Sequence, residues 1–162
     1  MILVSNTGPL IALAKIGKIE LLRKLNYEFV CVPPIVHKEL WGKVGPESKA
    51  IESSFDSFIK VITPKPLQVY VEIAILELDD GEKQVISLGL SVEEPLLLLD
   101  DKAGRNAAEN LGLSVIGTAG ILIAAKHFGL IDKVIPLIDE IRQKGYWLSD
   151  ALVANVRKLA NE

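Results

Sequence analysis

The stretch Leu96 to Arg105 reads LLLLDDKAGR, four leucines running straight into two aspartates. A short unbroken apolar run suits a strand covered on both faces, as in a parallel sheet, because a strand with one wet face would alternate. That run directs the chain towards an α/β fold. The acidic pair then emerges at the carboxyl end of a strand, which is where open α/β sheets keep their sites.

The rest of the chain fits such a sheet. ILVS reads as a strand, and in NTGPLIALAKIG either Asn6 or Thr7 can cap a helix that Gly17 ends. Ile19 to Leu25 is a second helical stretch, YEFVCV a strand stopped by Pro33 and Pro34, and IVHKELW a helix. ESKAIESSFDSF reads as a helix and IKVITP as a strand. LQVYVEIAILEL fits either period, and its length favours a helix. Asp79 or Asp80 can cap the next helix, with Val85, Ile86 and Leu90 facing inward. After the leucine strand come a helix from about Ala103 to Leu111 closed by Gly112, then LSVIG as a strand. Thr118, Asp132 and Ser149 are caps for three further helices, the first two ended by Gly129 and Gly145. Strands alternating with helices over residues 1–162 predict one α/β domain with a mainly parallel sheet, elaborated by helices from about residue 118.

Composition narrows the functions. With 49% apolar residues in 162, a packed core is within reach. No apolar segment approaches the roughly 18 residues of a membrane span, and the opening MILVSNTGPL has no basic leader, so a cytoplasmic protein is expected. The single cysteine, Cys31, excludes an internal disulfide and reads as a buried small hydrophobe. His37 and His127 are isolated and read as solvated helix residues; no zinc pattern is present. A net charge of −3 argues against holding nucleic acid by bulk electrostatics. A phosphate partner would need clustered lysines and arginines or a bound cation.

Acidic and amide groups recur near the edges of these elements: Asn6 after the first strand, Glu39 in the helix after the second, Glu82 at a helix start, Asp100 and Asp101 after the leucine strand. Each alone reads equally as a cap, a first-turn acid or solvated surface. If topology gathers them, carboxylates that repel one another need a cation, and oxygen ligands suit Mg2+ or Mn2+.

In this order the segments VSNTGPLIALAKIG, CVPPIVHKEL, LDDGEKQVISLG, LLLLDDKAGRNAAENLGLSVIGTAGIL and AAKHFGLI resemble the PIN-domain family, from residue 4 to about 131. The resemblance implies a three-layer α/β/α sandwich and a metal-dependent nuclease, usually a ribonuclease, some of whose relatives are toxins restrained by an antitoxin protein. It places the family's acids at Asn6, Glu39, Glu82 and Asp100 or Asp101, and its early hydroxyl at Thr7. Asn6 departs from the usual aspartate: an amide oxygen still reaches a cation but brings no charge.

The implied chemistry is hydrolysis of RNA phosphodiesters, with Mg2+ or Mn2+ held by Asn6, Glu39, Glu82, Asp100 and Asp101. Lys15, Lys38, Lys102 and Arg105, with Thr7, are candidates for substrate contact, although solvated charge explains the four cations as well. The rival is a non-catalytic module of the same fold that binds RNA or a protein. A receiver-type phosphorylation module and an acid-pair phosphatase are excluded because SNTG stands where their early acids belong. The apolar residues of GTAGILIAAKHFGLI and the last helices suit either a homodimer interface or a core.

Overall fold

The computed structural model describes all 162 residues. From the amino terminus, β1 (Ile2–Ser5) leads to α1 (Thr7–Lys15), α2 (Leu21–Lys24), β2 (Val30–Val32), α3 (Pro34–Trp41), α4 (Ser48–Ser57) and β3 (Ile59–Val61). Then follow α5 (Val69–Ala74), α6 (Asp80–Gly89), β4 (Pro95–Leu98), α7 (Lys102–Asn110) and β5 (Ser114–Ile116). Three helices close the chain: α8 (Thr118–His127), α9 (Ile135–Gln143) and α10 (Asp150–Leu159).

The strands form one all-parallel sheet in the order β3-β2-β1-β4-β5. Every residue of β1 and β2 is buried. Successive side chains point to opposite faces of a sheet, so both faces are covered by helices, giving the three-layer α/β/α sandwich. Leu97, Leu98 and Leu99 have no exposed surface, and the leucine run is indeed a central strand. Each such side chain contributes roughly 1.5–3 kcal/mol relative to an exposed one.

Topology positions the site. From β1 the chain steps outward through β2 to β3, then returns to lay β4 against the other side of β1, Ser5 opposite Leu98. The order therefore switches between β1 and β4, and their carboxyl ends open a crevice there. Asn6 follows one strand and Asp100 the other. Glycine makes two of the returns possible: Gly112, with φ +81°, reverses the chain from α7 into β5, and Gly145, with φ +88°, turns it after α9 towards the crevice.

Several expectations are corrected. The helix in LQVYVEIAILEL shrinks to Val69–Ala74, because only Val71 and Ile75 find a buried place while Val69, Tyr70, Ile73 and Leu76 stay exposed. Leu90, expected inside, is exposed because it follows the last turn of α6. His37 is half-buried rather than solvated, its ring 5.1 Å from Trp41 and 4.8 Å from Phe55. Thr118 begins α8 but spends its hydroxyl elsewhere, the cap position being Gly117. Asp132 does not cap α9, which starts only at Ile135 with a proline in its first turn. Glu162 serves instead, accepting from the N–H groups of Val134 at 2.8 Å and Ile135 at 3.1 Å and from the Lys126 ammonium at 2.8 Å.

Ile121, Leu122 and Ala125 of α8 are fully buried in the chain's own core, which accounts for the apolar character of that stretch. Cys31 is likewise buried, and burial pushes its thiol up to about 12, so it is chemically quiet. No helix is long and apolar enough to cross a membrane.

Candidate active site

The crevice between β1 and β4 is built from four helix starts and one returning loop. Asn6 occupies the cap position of α1, yet its side chain makes no capping bond, which leaves its carbonyl oxygen uncommitted to the helix. Thr7, buried at the first position of α1, donates its hydroxyl to Glu39 Oε2 of α3 at 2.5 Å. That bond ties the helix after β2 to the end of β1.

α6 brings the next group. Asp79 and Glu82 form a reciprocal capping box: the Glu82 N–H donates to Asp79 Oδ1 at 2.8 Å, and the Asp79 N–H donates to Glu82 Oε2 at 3.3 Å. Gly81 lies between them. A methyl group there would stand 3.2 Å from Asn6 Oδ1, 3.4 Å from Asp79 Oδ1 and 3.6 Å from Glu39 Oε1, so three side-chain oxygens from three elements face one point. The absent side chain keeps that point open. Gly104 does the same for Glu82, whose Oε1 would be 3.1 Å from an added methyl.

Glu82 is only 5% exposed. Burial raises its carboxyl and repulsion from Asp79 and Asp101 raises it further, to about 7, against the lowering pull of the Asp79 N–H. Asp101 caps α7, accepting from the N–H groups of Ala103 at 2.9 Å and Gly104 at 3.3 Å. Asp100 turns to different partners: the Thr118 N–H at 2.7 Å, the Thr118 hydroxyl at 2.5 Å and the Tyr146 hydroxyl at 2.6 Å. Tyr146 is itself buried enough, and close enough to the Asp100 charge, for its phenol to be pushed far up, so it acts as a fixed donor. Gly8 permits this contact, since a methyl there would meet the Tyr146 hydroxyl at 2.9 Å.

The crevice thus has three neighbouring groups: Asn6 with Glu39 and Asp79, Glu82 with Asp101, and Asp100 with Thr118 and Tyr146. Glu82 makes its contacts with Asp79 and Asp101, and none with Asp100. No three His, Cys, Asp or Glu side chains are grouped to hold a metal ion. The convergence at Gly81 consists of two carboxylates and one amide, and the amide is Asn6. Its all-oxygen donor set suits a hard cation such as Mg2+ or Mn2+ and not zinc.

Of the expected substrate contacts, Lys102 is exposed and Arg105 half-buried, and both line a cleft of about 510 Å3 together with Asp100 and Asp101. Lys38 is exposed beside Glu39. Lys15 sits about 12 Å along α1 from Thr7, donating to the Lys144 carbonyl while the Lys144 ammonium donates to the Lys15 carbonyl. Sequence reasoning missed three residues. Asp79 carried a readable signal, the D-x-x-E capping pattern, but it was read only as a cap. Thr118 and Tyr146 carried none, since each meets Asp100 across 18 and 46 residues.

A parallel, doubly wound sheet with carboxylates at its switch point defines an α/β protein whose chemistry belongs at the carboxyl edge of the strands. The family model described as a PIN domain matches residues 2–162, and the chain belongs to the PIN-domain family. Its fold is of the nuclease type. A comparison with curated proteins finds no match.

Proposed function

We propose that the protein is a Mg2+- or Mn2+-dependent endoribonuclease that hydrolyses RNA phosphodiester bonds. The observation that carries this reading is the convergence of Asn6, Asp79 and Glu39 oxygens on the space left open at Gly81, beside the buried Glu82. Asn6, Glu39 and Asp79 would hold the cation, with Glu82 beside them. When bound, it supplies Lewis-acid polarisation of the phosphate and a lowered pKa for a water.

The chain's own residues do the rest. Thr7 fixes the orientation of Glu39 through its hydroxyl. Thr118 and Tyr146 fix the orientation of Asp100. Glu82, raised to about 7 by burial and by the Asp79 and Asp101 charges in the unliganded chain, would be drawn to its ionised form by a cation bound beside it. Asp101 supports the start of α7 and adds negative charge next to Glu82. Lys38, Lys102 and Arg105 supply the positive charge that an RNA backbone requires near so acidic a centre. In the toxin form of this reading, an antitoxin protein restrains the nuclease.

Cleavage of an unstructured RNA in Mn2+ tests the reading. Wild type should cleave and Asp100→Asn should not, whereas equal rates would remove Asp100 from the mechanism. A second reading has its own observation: Asn6 and the want of any three-acid group favour a module that binds RNA without turnover. It predicts RNA binding unchanged by Mn2+ and no cleavage by wild type; under the nuclease reading Asn6→Asp strengthens metal binding, and no change in a calorimetric titration would count against Asn6 as a ligand.

A further inference from the structure

The cleft beside Asp100 contains an aromatic ring that the nuclease reading leaves unused. Trp147 is 82% exposed, the most exposed aromatic side chain of the molecule. Its backbone is nevertheless pinned on both sides. Tyr146 is anchored to Asp100, Leu148 is buried, and Ser149 caps α10 by accepting from the Leu152 N–H at 3.1 Å. The ring therefore stands in water at a fixed place, open on its face to a planar partner.

The walls of the same cleft indicate the ligand. Lys102, Arg105 and Asn106 line it with Trp147, and Asp100 and Asp101 form its inner end. Neither Lys102 nor Arg105 takes part in any ion pair, although the chain forms five elsewhere. Arg105 Nη1 donates to the Leu99 carbonyl, and it and Asp100 Oδ1 both face the space left open at Gly117. An exposed π-face and two cations outside any salt bridge, beside the proposed phosphate-cleaving centre, match the needs of one polymer, an unpaired nucleic-acid strand. Its bases stack and its phosphates seek cations. A duplex hides its base faces and could not use the ring.

We infer that Trp147 is a stacking platform for an unpaired base of the RNA, with Lys102 and Arg105 on the adjoining phosphates, so that this cleft delivers single-stranded substrate to Asp100. This rests on the nuclease reading for what happens next, not for the binding itself. The chain has two tryptophans, and Trp41→Phe leaves Trp147 as sole reporter. Short oligouridylate, titrated in EDTA and again with Mn2+, should quench the fluorescence of that variant, while a duplex RNA of equal length should not. Trp147→Ala should weaken oligouridylate binding about tenfold, with Trp147→Phe recovering most of it. Lys102→Ala should lower the salt slope by about 0.7. Unquenched fluorescence, or Trp147→Ala binding RNA as tightly as wild type, overturns the assignment and leaves the ring to a protein partner. Quenching and tight binding without any cleavage uphold it and sink the nuclease reading, whereas Mn2+-dependent cleavage with Trp147→Ala unaffected does the reverse.

Discussion

Glu82 and Glu162 are both glutamates drawn out of water at the start of a helix, and the molecule treats them in opposite ways. Burial pushes each carboxyl upward. Around Glu82 the neighbours are the carboxylates of Asp79 and Asp101, and the group reaches about 7. Around Glu162 they are the Lys126 ammonium and the Val134 and Ile135 N–H groups, which overcome the burial and hold it at about 2. Opposite neighbours thus yield a charge the fold uses at Glu162 and a charge the fold resists at Glu82. A resisted charge stabilises nothing in the unliganded chain, and such groups concentrate where chemistry is done.

The comparison breaks most sharply at Glu82. Glu82→Gln should slow Mn2+-dependent RNA cleavage by about 10–100-fold, while raising stability at pH 8 by about 1–2 kcal/mol after allowance for solvent screening. The sign follows from the direction of the shift. A carboxyl raised in the fold costs nothing below its unfolded pKa of about 4.5, and its penalty grows until the folded group has ionised above about 7. Thermal melts across that range should show the two proteins converging in acid; a mutant less stable than wild type at pH 8 would make Glu82 a structural residue like Glu162.

Gly81→Ala sharpens the same point by steric means. The added methyl would occupy the space faced by Asn6, Asp79 and Glu39 oxygens, so Mn2+ affinity by calorimetry should fall about tenfold, while an early-helix alanine leaves stability equal or higher by up to about 1 kcal/mol. Unchanged Mn2+ affinity would move the cation away from Gly81.

At the other pole, Glu162→Ala should destabilise by about 1 kcal/mol at neutral pH, since it strands the two N–H groups at the start of α9. Wild type has this contribution above about pH 4.5 and loses it as pH falls through about 2, the direction for a depressed carboxyl. The variant's acid unfolding curve should lack that component. The smallest effect is expected from Asn6→Asp, a several-fold gain in Mn2+ affinity at a small cost in stability without metal, both visible in parallel titrations and melts.

Much of the fold is legible in the sequence. The leucine run, the capping residues Asp79 and Ser149, and the glycines at positions 112 and 145 act over one or two turns of chain, and each behaves as its pattern suggests. Errors fell where local signals conflicted. LQVYVEIAILEL satisfies two periods, so burial of Val71 and Ile75 alone had to choose its short helix. Asp132 was a plausible cap until the chain's last residue, 27 positions beyond Ile135, took the role.

By itself the sequence determined a parallel α/β sandwich, the elements that carry Asn6, Thr7, Glu39, Glu82, Asp100 and Asp101, and the membership these segments share with PIN domains. The parallel sheet and its elements depend on side-chain periodicity and on turn chemistry, which operate between near neighbours, whereas the family is carried by the resemblance of the segments themselves. Only the tertiary structure decided which oxygens meet: that Asp79 joins Asn6 and Glu39 at Gly81, that Asp100 is bound by Thr118 and Tyr146, and that Trp147 stands exposed beside it. Such meetings are set by the strand order β3-β2-β1-β4-β5 and by a loop returning from the far end of the chain. No local pattern encodes a distance between residues that only the closed sheet brings together.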